Sequence, residues 1–423
     1  MNLNSKEKKT YWQERAEQRF LNAESLTENM LKNLKTTYEQ AIKSVQKEIN
    51  AFYGKYSTET GLSLEEVRKR LDKSELKEFK KQLQLYYDEV KRLGGYSKDT
   101  KQYLRELSAK AYISRLEELQ ANIRWEIESL YRTQQLRIFE VLSKGYEETY
   151  YRANFDVQQG IGFAYSFTAL NTKAVQKAVT QKWQGSNFSD RVWNDKNKLV
   201  DTLNQTIPQG IALGQNPRKV ARTISNTMET KFSNAERLAR TEMNHICNDA
   251  TKDAYRETPE ILQQYKILAT LDNRTSEICQ EQDGKVYKMS EWQEGVTAPP
   301  FHPNCRTTTV PYFDDVDYFQ MERIATDYST GQAYYVPNNM SYKEWRASLT
   351  EKQDKAFINN KKAREQHASD RKQLAEYRKL QNKQPELFEG MPRTLAEYQA
   401  YKYGKPEKYE ILKENARIVK GLK

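Results

Sequence analysis

The sequence predicts a mainly α protein: long N-terminal helices, a helical middle region with a small inserted β-containing module, and a basic C-terminal tail that is helical or partly disordered. Three observations carry this. Apolar residues recur every three or four positions through long tracts, the spacing of one helical face. Only 37% of the 423 residues are hydrophobic while 30% are charged, and mean hydropathy is −0.96. That leaves little apolar material for cores and favours an elongated, helix-rich molecule. Turn-forming residues concentrate in one stretch, 272–312, which also holds two of the three cysteines and one of the three histidines.

The first region, 1–150, reads as long helices. Leu31, Leu34, Tyr38, Ile42, Val45, Ile49 and Phe52 form one stripe, and Leu116, Leu119, Ile123, Ile127 and Leu130 form a second. Gly94, Gly95 and Ser97 mark a break between them, and Ser63 with Glu66 is a capping-box start. The stripes read as seams of an antiparallel hairpin or bundle in preference to a partner-binding coiled coil, because no heptad is sustained.

The second region, 151–258, stays helical. Trp183, Gly185, Phe188, Ser189, Arg191, Val192 and Trp193 form an aromatic cluster around a turn. Gly210 and Gly214 read as turn positions, Asn216 with Pro217 as a helix start, and Ser233 with Glu236 as the capping box of a further helix.

The third region, 259–350, contains the β module. Residues 265–271 form a short apolar strand, Asp283-Gly284 signals a hairpin with 285–287 as one arm, and 306–312 supplies another strand. Order continues through Tyr334, Tyr335, Val336 and Pro337 to Trp345. The last region, 351–423, carries 18 Lys and Arg against 11 Asp and Glu, a balance of +7 within a whole-chain charge of +11.

Composition also bounds function. Abundant tyrosine, 28 residues, argues against simple disorder. A pI of about 9.1 makes attraction to a polyanion plausible. Three cysteines make no disulfide framework, which points to a reducing cytoplasm. Neither a signal peptide nor a membrane-spanning run is evident.

The candidate chemistry lies in three places. On the helix after Ser233, Leu238, Glu242 and Ile246 fall four apart, setting a carboxylate between two apolar residues. Arg240 points elsewhere, and no second carboxylate or histidine pairs with Glu242 in sequence. Glu242 therefore reads as bonded to a neighbouring element rather than as a catalytic acid. Cys279, His302 and Cys305 are three candidate metal ligands, the last two in an H-x-x-C pair that suits zinc. His245, Cys247 and Asp272 are the nearest fourth ligands in sequence, none compelling. Reduced core thiols and a Cys279–Cys305 disulfide are the alternatives. Lys361, Lys362, Arg364, Arg371, Lys372, Arg378 and Lys379 are candidate phosphate contacts, or else a solvated helix face.

The order Arg240-Thr241-Glu242, then Asp272, Arg274 and Cys279, then Asp283-Gly284, then Pro300-x-His302-Pro303-x-Cys305-Arg306 resembles the phage head morphogenesis family, minor head proteins related to protein F of bacteriophage Mu. Many members continue Cys-Arg as Cys-Arg-Cys, whereas this chain has Thr307. The resemblance implies a minor head (capsid) protein of a tailed phage, made in the host cytoplasm and located in the virion head or procapsid interior. Its implied partners are the portal, major capsid or scaffold proteins, with non-specific contact to packaged double-stranded DNA and none to a membrane. No catalytic constellation is expected, and structural zinc is the one cofactor suggested. The alternative is a metal-dependent hydrolase or nuclease using Cys279, His302 and Cys305; related modules also occur joined to effector domains.

Overall fold

The computed structural model of the chain describes residues 11–60, 115–212, 215, 217–313, 322–337, 339–392 and 394–421. The break at Gly94, Gly95 and Ser97, the Ser63–Glu66 capping box, Gly214 and Asn216 lie outside them. The chain forms two units, Met1–Leu268 with Lys285–Asp317, and Ala269–Gly284 with Tyr318–Lys423. The mainly α expectation is borne out.

In the first unit, helices α1 (Tyr11–Thr60), α2 (Arg115–Ile161) and α5 (Pro217–Arg256) pack on one another, and α3 (Thr172–Thr180) and α4 (Phe188–Ala212) lie against α2 and α5. The stripes expected from sequence are the seams. Leu31, Leu34, Tyr38, Val45 and Ile49 share one core with Leu119, Ile123, Ile127 and Leu130. Each such fully buried aliphatic side chain contributes roughly 1.5–3 kcal/mol. The seam is not wholly apolar. The Tyr38 hydroxyl donates to Gln134 Oε1 at 2.7 Å, and the Tyr131 hydroxyl donates to Asp195 at 2.9 Å. Asp195 also receives Lys231 at 2.8 Å. Directional bonds of this kind fix which residues of two long helices face each other.

Two expectations on this part of the chain are corrected. Gly210 is no turn residue but lies inside α4, where a Cβ would come within 2.9 Å of Val220 Cγ2; the glycine allows close approach to the start of α5. Ser233 opens no helix, since α5 runs unbroken from Pro217 to Arg256. The Ser233 hydroxyl donates back to the Glu229 carbonyl at 3.4 Å, the usual fate of a mid-helix serine.

Strands β1 (Gln264–Leu268), β2 (Val286–Lys288) and β3 (Thr308–Tyr312) form an antiparallel sheet in the order β2-β1-β3, with Lys266 opposite both Val286 and Val310. The sheet is fixed to α5 through polar bonds to β3 and the residue before it. Asn244 donates to the Thr307 carbonyl at 3.1 Å and the Tyr255 hydroxyl to the Thr309 carbonyl at 3.3 Å.

The second unit has two small cores. Helix α6 (Glu277–Gln282), the hairpin β4 (Glu322–Asp327) to β5 (Gln332–Pro337) and helix α7 (Tyr342–Ser348) accompany the first. This core joins Leu271, Ala325, Val336, Tyr342 and Trp345 to Phe357 of helix α8 (Glu351–Lys383). Helices α9 (Leu395–Gly404) and α10 (Pro406–Lys420) fold back on the far end of α8, burying Leu374, Leu380, Phe388, Tyr398, Leu412 and Ala416. Residues 351–421 are thus helical with a core of their own. Capping boxes at Ser341–Glu344, Thr350–Gln353 and Thr394–Glu397 start α7, α8 and α9. Asp283-Gly284 is not the tip of a two-residue hairpin. Asp283 caps the C-terminus of α6, and Gly284 follows at φ +80°, the left-handed stop that glycine provides. Among the described residues, no helix is long and apolar enough to cross a membrane.

Two glycines of α2 give a contrast that tests the packing. At Gly160 a Cβ would lie 2.2 Å from the buried Trp12 indole, which cannot move aside; at Gly145 it would meet Met243 Sδ at 2.5 Å, the end of a flexible side chain. Alanine gains about 1 kcal/mol of helix propensity at either site. Gly160→Ala should nevertheless destabilise by about 1–3 kcal/mol through overpacking, while Gly145→Ala should be neutral or stabilising. Urea unfolding of the two variants measures both.

Candidate functional site

The family-motif residues fall into two groups, one in each unit. In the first, α5 presents Arg240, Thr241 and Glu242 in three directions. Arg240 faces α1, with Glu24 at 3.8 Å and Glu28 at 3.6 Å, and Glu236 one turn back at 3.4 Å. Thr241 Oγ1 accepts the Asn304 N–H at 3.0 Å.

Glu242 is 2% exposed. One carboxylate oxygen accepts the Trp183 indole N–H at 2.9 Å and the other is in contact with the Arg191 guanidinium. Arg191 also lies 4.5 Å over the Trp183 ring and donates to the Trp183 carbonyl at 2.7 Å. This closed arrangement explains the aromatic cluster seen in sequence. Trp183 and Ser186 exchange both backbone hydrogen bonds across a two-residue turn. Gln184 and Gly185 take positive φ there (47° and 85°), the primed geometry that favours glycine. Four residues of turn thus aim an indole N–H at a carboxylate on another helix.

His302, Pro303, Asn304 and Cys305 form one tight turn. Cys305 N donates to the His302 carbonyl at 3.1 Å, with proline second and Asn304 third at φ +61°. That is the type II pattern, in which the third position needs positive φ and asparagine tolerates it. The H-x-x-C spacing is therefore a turn, and it brings thiol and imidazole together. A hydrogen bond with the Cys305 side chain holds the His302 pKa above its ordinary value, against the opposing effect of burial and with help from the Pro303 carbonyl. Cys279, the third expected ligand, lies in the second unit, buried on α6, whose N-terminus Ser276 caps. All three cysteines are free thiols. Cys247, considered as a fourth ligand, is half-buried and accepts the Thr149 hydroxyl at 3.4 Å, and its desolvation pushes the thiol pKa up to about 11.

In the second unit, Asp272 closes its own turn by accepting the Arg274 N–H at 2.9 Å and the Thr275 hydroxyl at 3.1 Å, while the Arg274 side chain is exposed. Asp283 is the centre of this unit. Its oxygens accept both ends of the Arg323 guanidinium at 2.8 and 3.0 Å, the Ala269 N–H at 2.8 Å and the Tyr342 N–H at 2.8 Å. Arg323 also donates to the Ala269 and Met340 carbonyls. Both side chains are buried, at 1% and 0% exposure, a bidentate pair with nearly every lone pair used.

The seven candidate phosphate contacts all sit on α8. Arg364, Arg371 and Arg378 are seven residues apart, as are Lys372 and Lys379. At about 100° per residue these five and Lys361 fall within about 120° of one another, a stripe that borders Leu374, while Lys362 falls in line with Leu380. Lys361 lies 4.0 Å from Glu365, and Arg364 donates to the Asn273 carbonyl at 2.7 Å, so these two also act within the chain.

Sequence reading missed Arg323 and the partnership of Arg191 with Glu242. Arg323 does carry a signal, since in 322–327 it occupies the same strand face as the buried Ala325. A lone cation on an inward strand position requires a buried anion.

Comparison with known proteins agrees with the motif. Residues 201–310 match the family model described as Phage Mu protein F like protein. The chain is 25% identical over 308 residues to the minor head protein GP7 of Bacillus phage SPP1, covering 69% of this chain and 94% of that protein. It is also 27% identical over 235 residues to the NAD(+)–arginine ADP-ribosyltransferase EFV of Enterococcus faecalis (strain ATCC 700802 / V583), covering 49% of this chain and 48% of that protein. The chain thus spans about half the length of that relative. No solved structure matches.

Both ion pairs should matter chiefly because breaking one strands a buried charge. Glu242→Ala and Asp283→Ala should each cost about 3–5 kcal/mol. Trp183→Phe, which removes one neutral donor, should cost only about 1–2 kcal/mol. Chemical denaturation of the three variants checks the ranking, and equal losses would contradict it.

Proposed function

From a Phage Mu protein F-like domain across residues 201–310 and kinship with a phage minor head protein, we propose that this chain is a minor head protein of a tailed bacteriophage. In this reading it acts in head assembly from the procapsid interior, beside the portal, and contacts packaged DNA. The observation that carries the reading is the coverage of 94% of the SPP1 minor head protein. The arrangement around Glu242 supports a structural role, because its carboxylate is enclosed by Trp183 and Arg191 and offers a substrate no free oxygen. Immunodetection of the chain in purified heads of the phage that encodes it, at few copies per head, is the expected result; heads without it would overturn the proposal.

The basic stripe of α8 supports the DNA contact. Its affinity would come from counterion release, with log K falling by about 0.9 per phosphate for each log unit of salt. Ending the chain at Thr350 would remove Phe357 from the Trp345 core, so charge substitutions are the sounder test. Replacing the exposed Arg371, Lys372 and Lys379 by glutamine should reduce the salt slope by roughly 2–3, measured by fluorescence anisotropy on duplex DNA. An unchanged slope would remove α8 from the DNA contact.

The enterococcal relative favours a second reading, an enzyme. The Mu F-like segment includes parts of α4, α5 and the β1–β3 sheet, where the acid is enclosed and the 302–305 turn is bonded within the chain. We therefore expect no NAD-dependent labelling of arginine-bearing acceptor proteins by the purified chain; labelling that Glu242→Gln abolishes would reverse this view. Zinc on Cys279, His302 and Cys305 is a separate part of the proposal: elemental analysis should find about one zinc per chain, lost in Cys305→Ser.

A further inference from the structure

We propose that β5 is a pairing edge for a second copy of this chain, the two strands running antiparallel about Tyr334. The observation behind this is a row of backbone groups left open. In the β4–β5 hairpin, Thr326 N donates to the Leu271 carbonyl at 3.1 Å, and Leu271 forms a parallel bridge with Ala325. Thr326 therefore turns its backbone groups away from β5, and Ala333, its partner across the ladder, turns its own away from β4. By the same alternation Arg323, Ala325 and Asp327 bond to Val336, Tyr334 and Gln332, while the backbone groups of Tyr335 point outward like those of Ala333. Leu271 covers one edge of the hairpin. Along the other, nothing among the described residues meets the N–H and C=O groups of Ala333 and Tyr335.

Such edges are ordinarily guarded by charge, proline or shortness. The edge strand β2 of the first unit is guarded in this way: it has three residues, follows Lys285 and ends in Lys288, whose N–H is held by Glu291 at 2.8 Å. Strand β5 reads Gln-Ala-Tyr-Tyr-Val-Pro, without a charge, and Tyr335 is 55% exposed.

The open groups are self-complementary, which argues for a second copy as the occupant. Ala333 and Tyr335 lie one residue to either side of Tyr334. A second β5 laid antiparallel about that residue sets each Ala333 opposite Tyr335 of the other copy, and both such pairs exchange their N–H and C=O bonds. Shifting the register one way calls on Gly331, whose N–H is already given to the Asp327 carbonyl at 2.8 Å. Shifting it the other way calls on Pro337, which has no N–H and whose carbonyl accepts the Met340 N–H at 3.0 Å. The register is therefore unique. On the outer face a small alanine lies opposite a large tyrosine and no like charges meet. Tyr334 and Val336 remain in the Trp345 core, where the Tyr334 hydroxyl accepts the Trp345 indole N–H at 2.8 Å. The product is a sheet in the order β4-β5-β5-β4, closed by a two-fold axis. Six residues from each copy fall well short of the area of a permanent dimer, so the pairing is weak and reversible.

Sedimentation of the full chain from about 1 micromolar to about 1 millimolar should show monomer passing to dimer and no further, with a Kd on the order of 100 micromolar. Because each copy carries a net charge of +11, added salt should strengthen this association, the reverse of its effect on a DNA contact. The amides of Ala333 and Tyr335 should exchange more slowly as concentration rises, while those of Tyr334 and Val336, already bonded to β4, should not change. Tyr335→Lys keeps every backbone bond and charges the edge; Ala333→Pro removes an N–H that the single copy does not use. Each should weaken association by at least about tenfold. If Ala333→Pro does not fold, Tyr335→Lys and the amide exchange decide. A chain still monomeric at about 1 millimolar, growth beyond a dimer, or association that either folded variant leaves intact would overturn the proposal.

Discussion

A buried carboxylate must be neutralised where it lies, and both units of this protein are arranged around that constraint. Glu242 and Asp283 are each nearly inaccessible, and each is met by an arginine distant in sequence: Arg191, 51 residues away, and Arg323, 40 residues away. Stripping water from a charge costs several kcal/mol, recovered only if the geometry is good and the remaining lone pairs are used. The surroundings meet that demand. Trp183 and its turn exist, in effect, to complete Glu242. Four chain segments, at Ala269, Asp283, Arg323 and Met340 to Tyr342, converge to complete Asp283 and Arg323. Neither pair need add net stability over an apolar substitute; each specifies a single arrangement, because any other leaves a charge stranded.

Much of this was legible in the sequence, and the reason differs by element. The seams of α1 and α2 announce themselves because a helix repeats its buried face every three or four residues, and Leu34, Val45, Ile123 and Ile127 fall on that repeat. The turn at 302–305 is equally local, since Pro303 and Asn304 suit the two central positions of one turn type. What failed was either context or distance. Ser233 with Glu236 has the form of a cap, yet tertiary packing carries α5 straight through it. Gly210 looks like a turn, but its role is set by Val220, which no local pattern reveals. Arg323 shows in sequence only as a cation on an inward strand position; that its partner is Asp283 is specified by the fold alone. The order within 351–421 was ambiguous because α8 is too polar to show a stripe; its core becomes visible only when α9 and α10 return to it.

The relatives divide along the same line. The chain is similar to a minor head protein over most of that protein's length and to an enzyme over about half of that enzyme's. The most specific residues here, from Arg240 to Arg306, serve internal contacts: a helix-to-helix ion cluster, an indole-capped acid, a proline turn and a four-segment arginine staple. Several of these contacts are completed from outside 240–306, by Glu24 and Glu28 for Arg240, Trp183 and Arg191 for Glu242, and Arg323 and Tyr342 for Asp283. The motif residues thus specify the surrounding fold as much as their own stretch.

Between the Phe357 core and the Leu374 core, residues 358–369 of α8 are exposed on every face. At 1.5 Å per residue this is a rod of about 18 Å held helical by its own backbone bonds, its termini clamped and its middle touching little. Such a rod fixes angle as well as distance. Adding one residue would lengthen it by only about 1.5 Å but would turn whatever follows by about 100°, carrying α9, α10 and the arginine row around the axis. Apart from Asn360 and Arg364, which bond Asn273, the side chains along this span have room to vary, yet its length in residues would be held as strictly as any buried position.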